Sequence, residues 1–213
     1  MKIALIMENS QAAKSQVVHN ALTSVAEPAG HEVHHYGMYA ADDDAQLTYV
    51  MNGILAGILI NSGAADFIVS GCGTGMGAML GLNAMPNVVC GLVIDPTDAF
   101  LFGQINDGNA ISMPYAKGFG WAGELNIRYI FEKAFTGERG QGYPLERAEP
   151  QQRNATILNE VKAAVVKDNF IDSLRSIDQD LVKTAVGSER FQQCFFEHCQ
   201  NPDIADYVRS LLD

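Results

Sequence analysis

The chain has 213 residues, a formal net charge of −11 at pH 7 and 47% hydrophobic residues. This length fits one domain with an appendage better than two full domains, and the hydrophobic content is enough for a core. The acidic balance argues against a nucleic-acid partner. It does not exclude an anionic small substrate, because the local electrostatic field in a pocket, and not the net charge, decides whether such a substrate binds. No apolar stretch is long enough to span a membrane. The apolar run at the start of the chain is too short for a signal peptide and is followed too early by polar residues. We therefore expect a cytoplasmic protein with no membrane partner.

Strands and helices alternate along the first two thirds of the chain. Strands are predicted at residues 3–7, 32–36, 67–70, 88–94 and 110–113. Helices are predicted at residues 17–25, 47–60, 78–83, 98–105 and 118–135. This order predicts an α/β, Rossmann-like three-layer fold with a five-stranded parallel sheet. Ligand sites in such sheets lie at the carboxyl ends of the strands, which puts Glu8, Asn9, Cys72 and Asp95 on one edge.

The end of the chain differs from its beginning. Residues 136–150 are rich in glycine and charge and are predicted to be a linker, whereas residues 151–213 are helical throughout. We divide the chain into an α/β domain over residues 1–150 and a C-terminal helical extension over residues 151–213. An amphipathic extension cannot form a core alone, so it packs on the sheet domain or on another subunit. We favour a homodimer, or a dimer of dimers, in which this extension crosses over.

The cysteines carry no metal or disulfide pattern. They are Cys72, Cys90, Cys194 and Cys199. None belongs to a CxxC pair, and Cys90 lies in an apolar segment as a core residue would. The spacing of Cys194, Cys199 and His198 is a poor zinc signature, so these cysteines are interpreted as reduced packing residues. The adjacent pair His34-His35 would point to opposite faces of a strand. The sequence therefore predicts no metal site.

The segment from Gly71 to Gly77 is the main candidate site. It reads Gly-Cys-Gly-Thr-Gly-Met-Gly and joins a buried strand to a helix. Glycine lets the backbone turn tightly and approach a ligand, and a helix start directs free N–H groups at an anion. The same donors stabilise a thiolate, so Cys72 is a candidate base or nucleophile. The alternative is a buried cysteine beside a structural turn, and the four surrounding glycines favour the functional interpretation.

Several motifs in order resemble the ribose-5-phosphate isomerase B and galactose-6-phosphate isomerase family over about residues 1–160. They are the glycine-rich turn with Asn83, Asp95-Pro96, residues 104–109 and Gln151-Gln152-Arg153. The resemblance implies an aldose–ketose isomerase that moves a proton between C1 and C2. It also implies no cofactor and no metal, because the carbonyl of the substrate is the electron sink.

The resemblance assigns roles to individual residues. Cys72 would remove the carbon-bound proton and Thr74 would handle the hydroxyl proton. The amides of the turn would stabilise the enediolate oxygen: Gly73, Gly75, Met76 and Gly77. Substrate contacts are expected from Glu8, Asn9, Tyr49, Asn106 and Arg153. Four of them have a structural alternative: Glu8 as a helix cap, Asn106 as a turn former, Tyr49 as a core residue and Arg153 as a solvated residue. Trp121 is interpreted as a packing residue, with a role in shaping the pocket as the alternative.

The departures from the family pattern bear on the substrate. Ile105 stands where the family has the histidine that opens a cyclic sugar, and Ala116 and Glu149 stand where it has phosphate-binding arginines. Glu8-Asn9 replaces an Asp-His pair. Loss of bidentate phosphate contacts is not conservative. These changes favour an open-chain substrate without phosphate, such as the 4-deoxy-5-keto-hexuronates formed from unsaturated uronates.

Three segments also look like the motifs of a uronate-acting branch of the family. They are residues 46–50, 95–99 and 114–121. The alternatives are a sugar-phosphate isomerase, a sugar-acid sensor with an eroded site, and a transferase with Cys72 as nucleophile. The last needs a base to activate the thiol, and no histidine falls near these motifs.

Overall fold

The structure is a computed structural model that describes residues 1–165 and 169–212. Its strands are β1 (Lys2–Ile6), β2 (Glu32–His35), β3 (Phe67–Cys72), β4 (Cys90–Leu92) and β5 (Ala110–Pro114). They form one sheet in the order β2-β1-β3-β5-β4, and every neighbouring pair is parallel. The predicted five-stranded parallel sheet is confirmed.

Helices cover both faces of this sheet. The helices of the first 135 residues are α1 (Ser15–Ala26), α2 (Tyr49–Asn61), α3 (Met76–Asn83), α4 (Pro96–Leu101) and α5 (Gly123–Phe135). Because strand side chains alternate between faces, Ile3 and Leu5 pack under α1 and α5, whereas Ala4 and Ile6 pack under α2 and α3. This arrangement gives the three layers that the alternation of elements predicts.

The C-terminal helices follow a short 3₁₀ turn at Leu145–Arg147. They are α6 (Ala148–Val165), α7 (Phe170–Ser176), α8 (Gln179–Val186), α9 (Glu189–His198) and α10 (Pro202–Leu212). Helices α7 to α10 bury apolar side chains in the same cluster as α2, with α8 packed on α2 and α9 on the edge strand β2. Helix α6 is different, since it contacts the turn at Phe102–Asn106 and leaves Ile157, Leu158 and Val161 exposed.

Some boundaries differ from the sequence prediction. Strand β3 extends through Cys72, because Gly71 and Cys72 continue the ladder with Met113 and Pro114. Helix α5 begins five residues later than predicted, because Gly118 and Ala122 have φ angles of +76° and +61°, which are incompatible with a helix. Within the described ranges, no helix is both long and apolar enough to cross a membrane.

Candidate active site

The candidate site lies where the strand order reverses. The chain runs outward from β1 to β2 and then crosses back to β3, so β1 and β3 are neighbours whose following segments diverge. A crevice forms at the carboxyl ends of two such strands, which is where open α/β sheets bind ligands. Glu8 follows β1, and Cys72 is the last residue of β3. The register pairs Ile6 with Ser70, so Glu8, two residues beyond the end of β1, lies at about the level of Cys72.

Cys72 is held at the bottom of the glycine-rich turn. Its side chain is 8% exposed, and its Sγ lies 3.9 Å from Thr74 Oγ1. The carbonyl of Cys72 accepts a hydrogen bond from the Tyr115 amide at 2.9 Å. The carbonyl of Gly73 accepts from the amides of Ala116 and Lys117 at 3.0 and 2.8 Å. The segment after β5 thus fixes the backbone of the turn and places a thiol beside a hydroxyl.

Gly75 forms the junction between the turn and α3. Its φ is +76°, and a Cβ here would lie 2.6 Å from Leu92 Cδ1 and 3.0 Å from the Met113 carbonyl carbon. The amides of the first turn of α3 lack intrahelical partners and direct the positive end of the helix dipole towards the turn. One of them, Met76 N, donates to Thr74 Oγ1 at 3.3 Å. Of the predicted enediolate-binding amides, that of Met76 is therefore already engaged by the Thr74 hydroxyl oxygen.

Glu8 takes part in a capping interaction. It is 3% exposed, and its carboxylate accepts from Ser10 N at 3.0 Å and from Ser10 Oγ at 2.6 Å. This is the N-cap of the 3₁₀ helix Asn9–Lys14. Asn9 is exposed, and its backbone N–H donates a hydrogen bond to the Leu47 carbonyl at 2.7 Å. The capping alternative for Glu8 is present in the structure, at the edge of the sheet where a ligand would bind.

Tyr49 is brought to the turn by the packing of α2 on α3. Its ring lies 3.4 Å from the position of a Cβ on Gly77, and the side chain is 43% exposed. Tyr49 is therefore a surface residue beside the turn and not a core residue. Asn106 is exposed at the end of the π-helical turn Phe102–Asn106, and Arg153 is exposed on α6, which contacts that turn.

Trp121 is not a packing residue in this chain. Its side chain is fully exposed. The next residue, Ala122, has a φ of +61° and lies immediately before α5. The interpretation of Trp121 as a packing residue was wrong for the single chain.

Gln11 lies at the candidate site, although no pattern in the sequence predicts it there. Its Nε2 lies 3.7 Å from the position of a Cβ on Gly73, and its Oε1 accepts from Lys14 Nζ at 2.7 Å. Lys14 Nζ in turn lies 5.0 Å from the ring centroid of Phe119, in the segment after β5. The Lys14 ammonium is thus linked to the turn through Gln11, and Lys117 is held beside the turn by its backbone amide. Their convergence depends on packing between two loops that are far apart in the chain, so local spacing does not reveal it.

The fold and this turn define an α/β protein with a candidate site at the carboxyl edge of a parallel sheet. A sequence profile described as Ribose/Galactose Isomerase matches residues 3–141, and one described as Ribose-5-phosphate isomerase matches residues 164–211. The chain belongs to the ribose/galactose isomerase family. It is an aldose–ketose isomerase, an intramolecular oxidoreductase. No curated protein matches the chain.

Two solved structures match over the full length. The chain is 65% identical to a ribose-5-phosphate isomerase from Vibrio parahaemolyticus, over 100% of this chain and 99% of that one, with a TM-score of 0.96. It is 55% identical to a 4-deoxy-L-threo-5-hexosulose-uronate ketol-isomerase complexed with tartrate, over 100% of both chains, with a TM-score of 0.97. A type B ribose 5-phosphate isomerase from Leishmania infantum is 20% identical over 76% of this chain and 97% of that one. Its TM-score of 0.61 shows similarity of fold.

Proposed function

We propose that this enzyme isomerises an open-chain 4-deoxy-5-keto-hexuronate between its aldose and ketose forms. The observation that carries the proposal is the residue at position 105, where Ile105 has no proton with which to open a sugar ring. The five histidines of the chain lie elsewhere, around β2: His19, His31, His34, His35 and His198. A substrate that is already open needs no such acid.

The anionic end of the substrate supports the same choice. Ala116 and Glu149 cannot form the bidentate contacts with phosphate that arginine forms. Lys14 and Lys117 near the turn offer point charges that suit a carboxylate. The uronate-acting relative is described with tartrate, a hydroxy acid with two carboxylates, which fits a site for sugar acids.

In the proposed mechanism, Cys72 acts as a base in its thiolate form. It removes the proton from C2 of the aldose, and the electron pair moves onto the C1 carbonyl oxygen to form an enediolate. Thr74 transfers the hydroxyl proton from O2 to O1, and the amides of Gly73, Gly75, Met76 and Gly77 stabilise the negative oxygen. The Cys72 thiol then returns its proton to C1, which gives the 2-ketose and restores the thiolate. The rest of the substrate is proposed to be held by five residues: Glu8, Asn9, Tyr49, Asn106 and Arg153.

A substrate comparison tests this proposal. Turnover of a 4-deoxy-5-keto-hexuronate and of ribose 5-phosphate is followed by proton NMR in deuterated water with the same purified protein. We expect kcat/KM to be at least about a hundredfold higher for the uronate, because two lost charge-assisted contacts to phosphate each contribute about 1.5–3 kcal/mol. Solvent deuterium is expected at the carbon that receives the proton.

Ribose 5-phosphate is the second candidate substrate, because the Vibrio relative at 65% identity is described as a ribose-5-phosphate isomerase. Turnover of the phosphate alone would contradict the uronate proposal. It would also mean that a residue other than Ile105 opens the ring. If the protein binds the uronate without turning over either substrate, a sensor would be indicated.

We also propose that the enzyme is a homodimer in which α6 contacts the second subunit. Ile157, Leu158 and Val161 form an exposed apolar stripe on α6, with side chains 46%, 43% and 51% exposed. Contiguous exposed apolar surface of this kind marks an interaction site. Arg153 lies on the same helix. If two subunits pack along this stripe, Arg153 would lie near their interface, where its cation could contribute to a substrate site shared by the two subunits. We expect the partner to be a second copy of this chain, because most soluble oligomers are symmetric and use the same surface on both subunits.

Charge placed on this stripe is expected to break the dimer. Leu158→Glu should shift the mass measured by light scattering after gel filtration from two chains to one, because a carboxylate would be buried without a partner. Asn159→Glu is the matched control, since it adds the same charge on the opposite, exposed face of α6. A monomeric unmodified protein, or a dimer unaffected by Leu158→Glu, would overturn the proposed interface.

A further inference from the structure

A cluster of metal-ligating side chains lies between the edge strand and the C-terminal helices, away from the glycine-rich turn. It contains His34 on β2 with Cys194 and His198 on α9, and their ligand atoms all lie within 4.8 Å of one another. Cys194 and His198 are four residues apart and therefore share one face of the helix. The fold brings His34 to that face because α9 packs on β2.

The geometry within the cluster is close to that of a metal site. The rings of His34 and His198 lie 3.9 Å apart between centroids, and one ligand atom from each of the three residues falls within 4.8 Å of the other two. Zinc bonds of about 2.3 Å to sulfur and 2.0–2.1 Å to nitrogen place ligand atoms roughly 3.3–3.6 Å apart in a tetrahedron. Small rotations of the three side chains would bring them into this arrangement.

The polar groups around the cluster are incompletely satisfied without an ion. Among the described residues, the buried Nε2 of His34 has no hydrogen-bond partner, and the nearest carboxylate oxygen, Glu32 Oε2, is 3.5 Å away. Buried polar atoms without partners are rare, and a bound ion is one of the explanations for such an atom.

The second ring also has the surroundings of a metal ligand. His198 Nδ1 lies 2.7 Å from the carbonyl oxygen of Cys194. Donation of Nδ1–H to this carbonyl leaves the Nε2 lone pair available, and such bonds orient metal-bound imidazoles. Glu197 lines the same cavity as His34 and Cys194, so a carboxylate is near for a fourth position.

We propose that His34, Cys194 and His198 bind one Zn²⁺ ion, with a carboxylate or water as fourth ligand. Two imidazoles and a thiolate are the ligand types that zinc prefers. On binding, the Cys194 thiol loses its proton to the solvent and forms the Zn–S bond. The ion would join β2 to α9, so its role is to fix the C-terminal helices on the sheet.

Metal binding is measured directly on the full chain after treatment with a chelator. Zn²⁺ is titrated in competition with a chromogenic chelator, and Co²⁺ serves as a spectroscopic probe. We expect one equivalent of metal per chain and a thiolate-to-cobalt charge-transfer band. At a zinc concentration about a hundredfold above Kd, Tm should rise by about 5–10 °C because the ion binds the folded state.

Variants separate this site from other thiols and histidines. Cys194→Ser should remove the charge-transfer band, and both Cys194→Ser and His34→Gln should weaken zinc binding by about tenfold or more. Cys199→Ser is the matched control and should keep the band and the affinity, because Cys199 Sγ points to the Asn201 carbonyl at 3.2 Å. Substoichiometric binding by the unmodified protein would overturn the proposal. So would a charge-transfer band that persists in Cys194→Ser or disappears equally in Cys199→Ser.

Discussion

Replacing Cys72 by alanine is expected to lower kcat by about a thousandfold while substrate binding is retained. The thiol is the group proposed to carry the proton between C1 and C2, and a positioned acid–base group contributes about 10²–10⁴ in rate. The measurement is deuterium incorporation and product formation by NMR with the uronate, together with Kd by calorimetry. Since the methyl side chain of alanine fits the space of a side chain that is 8% exposed, the fold should persist.

Cys90→Ala is the matched control for this variant. Cys90 is equally buried but begins β4, so it lies at the opposite end of the sheet from Cys72. Burial raises the pKa of the Cys90 thiol to about 12, so it stays protonated at neutral pH. We expect Cys90→Ala to keep kcat within about twofold of the unmodified enzyme. If Cys72→Ala retained full turnover, Cys72 would not be the base and the proposed mechanism would be wrong.

Gly71→Ala is expected to lower the free energy of unfolding by about 3 kcal/mol or more, which corresponds to a fall in Tm of about 6–12 °C. A Cβ at this position would lie 2.2 Å from the Met113 carbonyl oxygen and 2.5 Å from the Tyr115 ring. The first of these atoms belongs to the backbone of β5, so relief of the clash must separate β3 from β5. Thermal unfolding followed by circular dichroism measures the change.

Gly73→Ala is the comparison that isolates the contact. It lies two residues further along the same turn, and a Cβ there would have its nearest neighbours, Gln11 Nε2 and Ala116 Cβ, at 3.7 and 3.8 Å. These are ordinary van der Waals distances, so Tm should change by no more than about 3 °C. Equal loss of stability in both variants would show that backbone freedom, and not close approach to β5, explains the glycine at position 71.

Much of the fold could be predicted from local patterns. The alternation of apolar strands with helices sets a parallel sheet, because each helix carries the chain back to the start of the next strand and covers one face of the sheet. The glycine-rich turn was recognisable for a similar reason, since a strand, four glycines and a cysteine form a local signature. That signature also places Cys72 at the carboxyl edge, because sites in parallel sheets lie there. The predicted end of β3 was two residues short, since only pairing with β5 shows that Gly71 and Cys72 remain in the ladder.

The sequence by itself determined the class of fold and the position of the cysteine turn, because each depends on neighbours in the chain. The departures at Ile105 and Ala116 were visible once its motifs were compared with the family pattern. Only the tertiary structure decided which distant side chains meet. It placed Gln11 beside Gly73 and buried the Glu8 carboxylate against Ser10. It also brought His34 to α9, more than 150 residues later in the chain. Such contacts arise from the packing of whole elements on one another, and no periodicity within a single element records them.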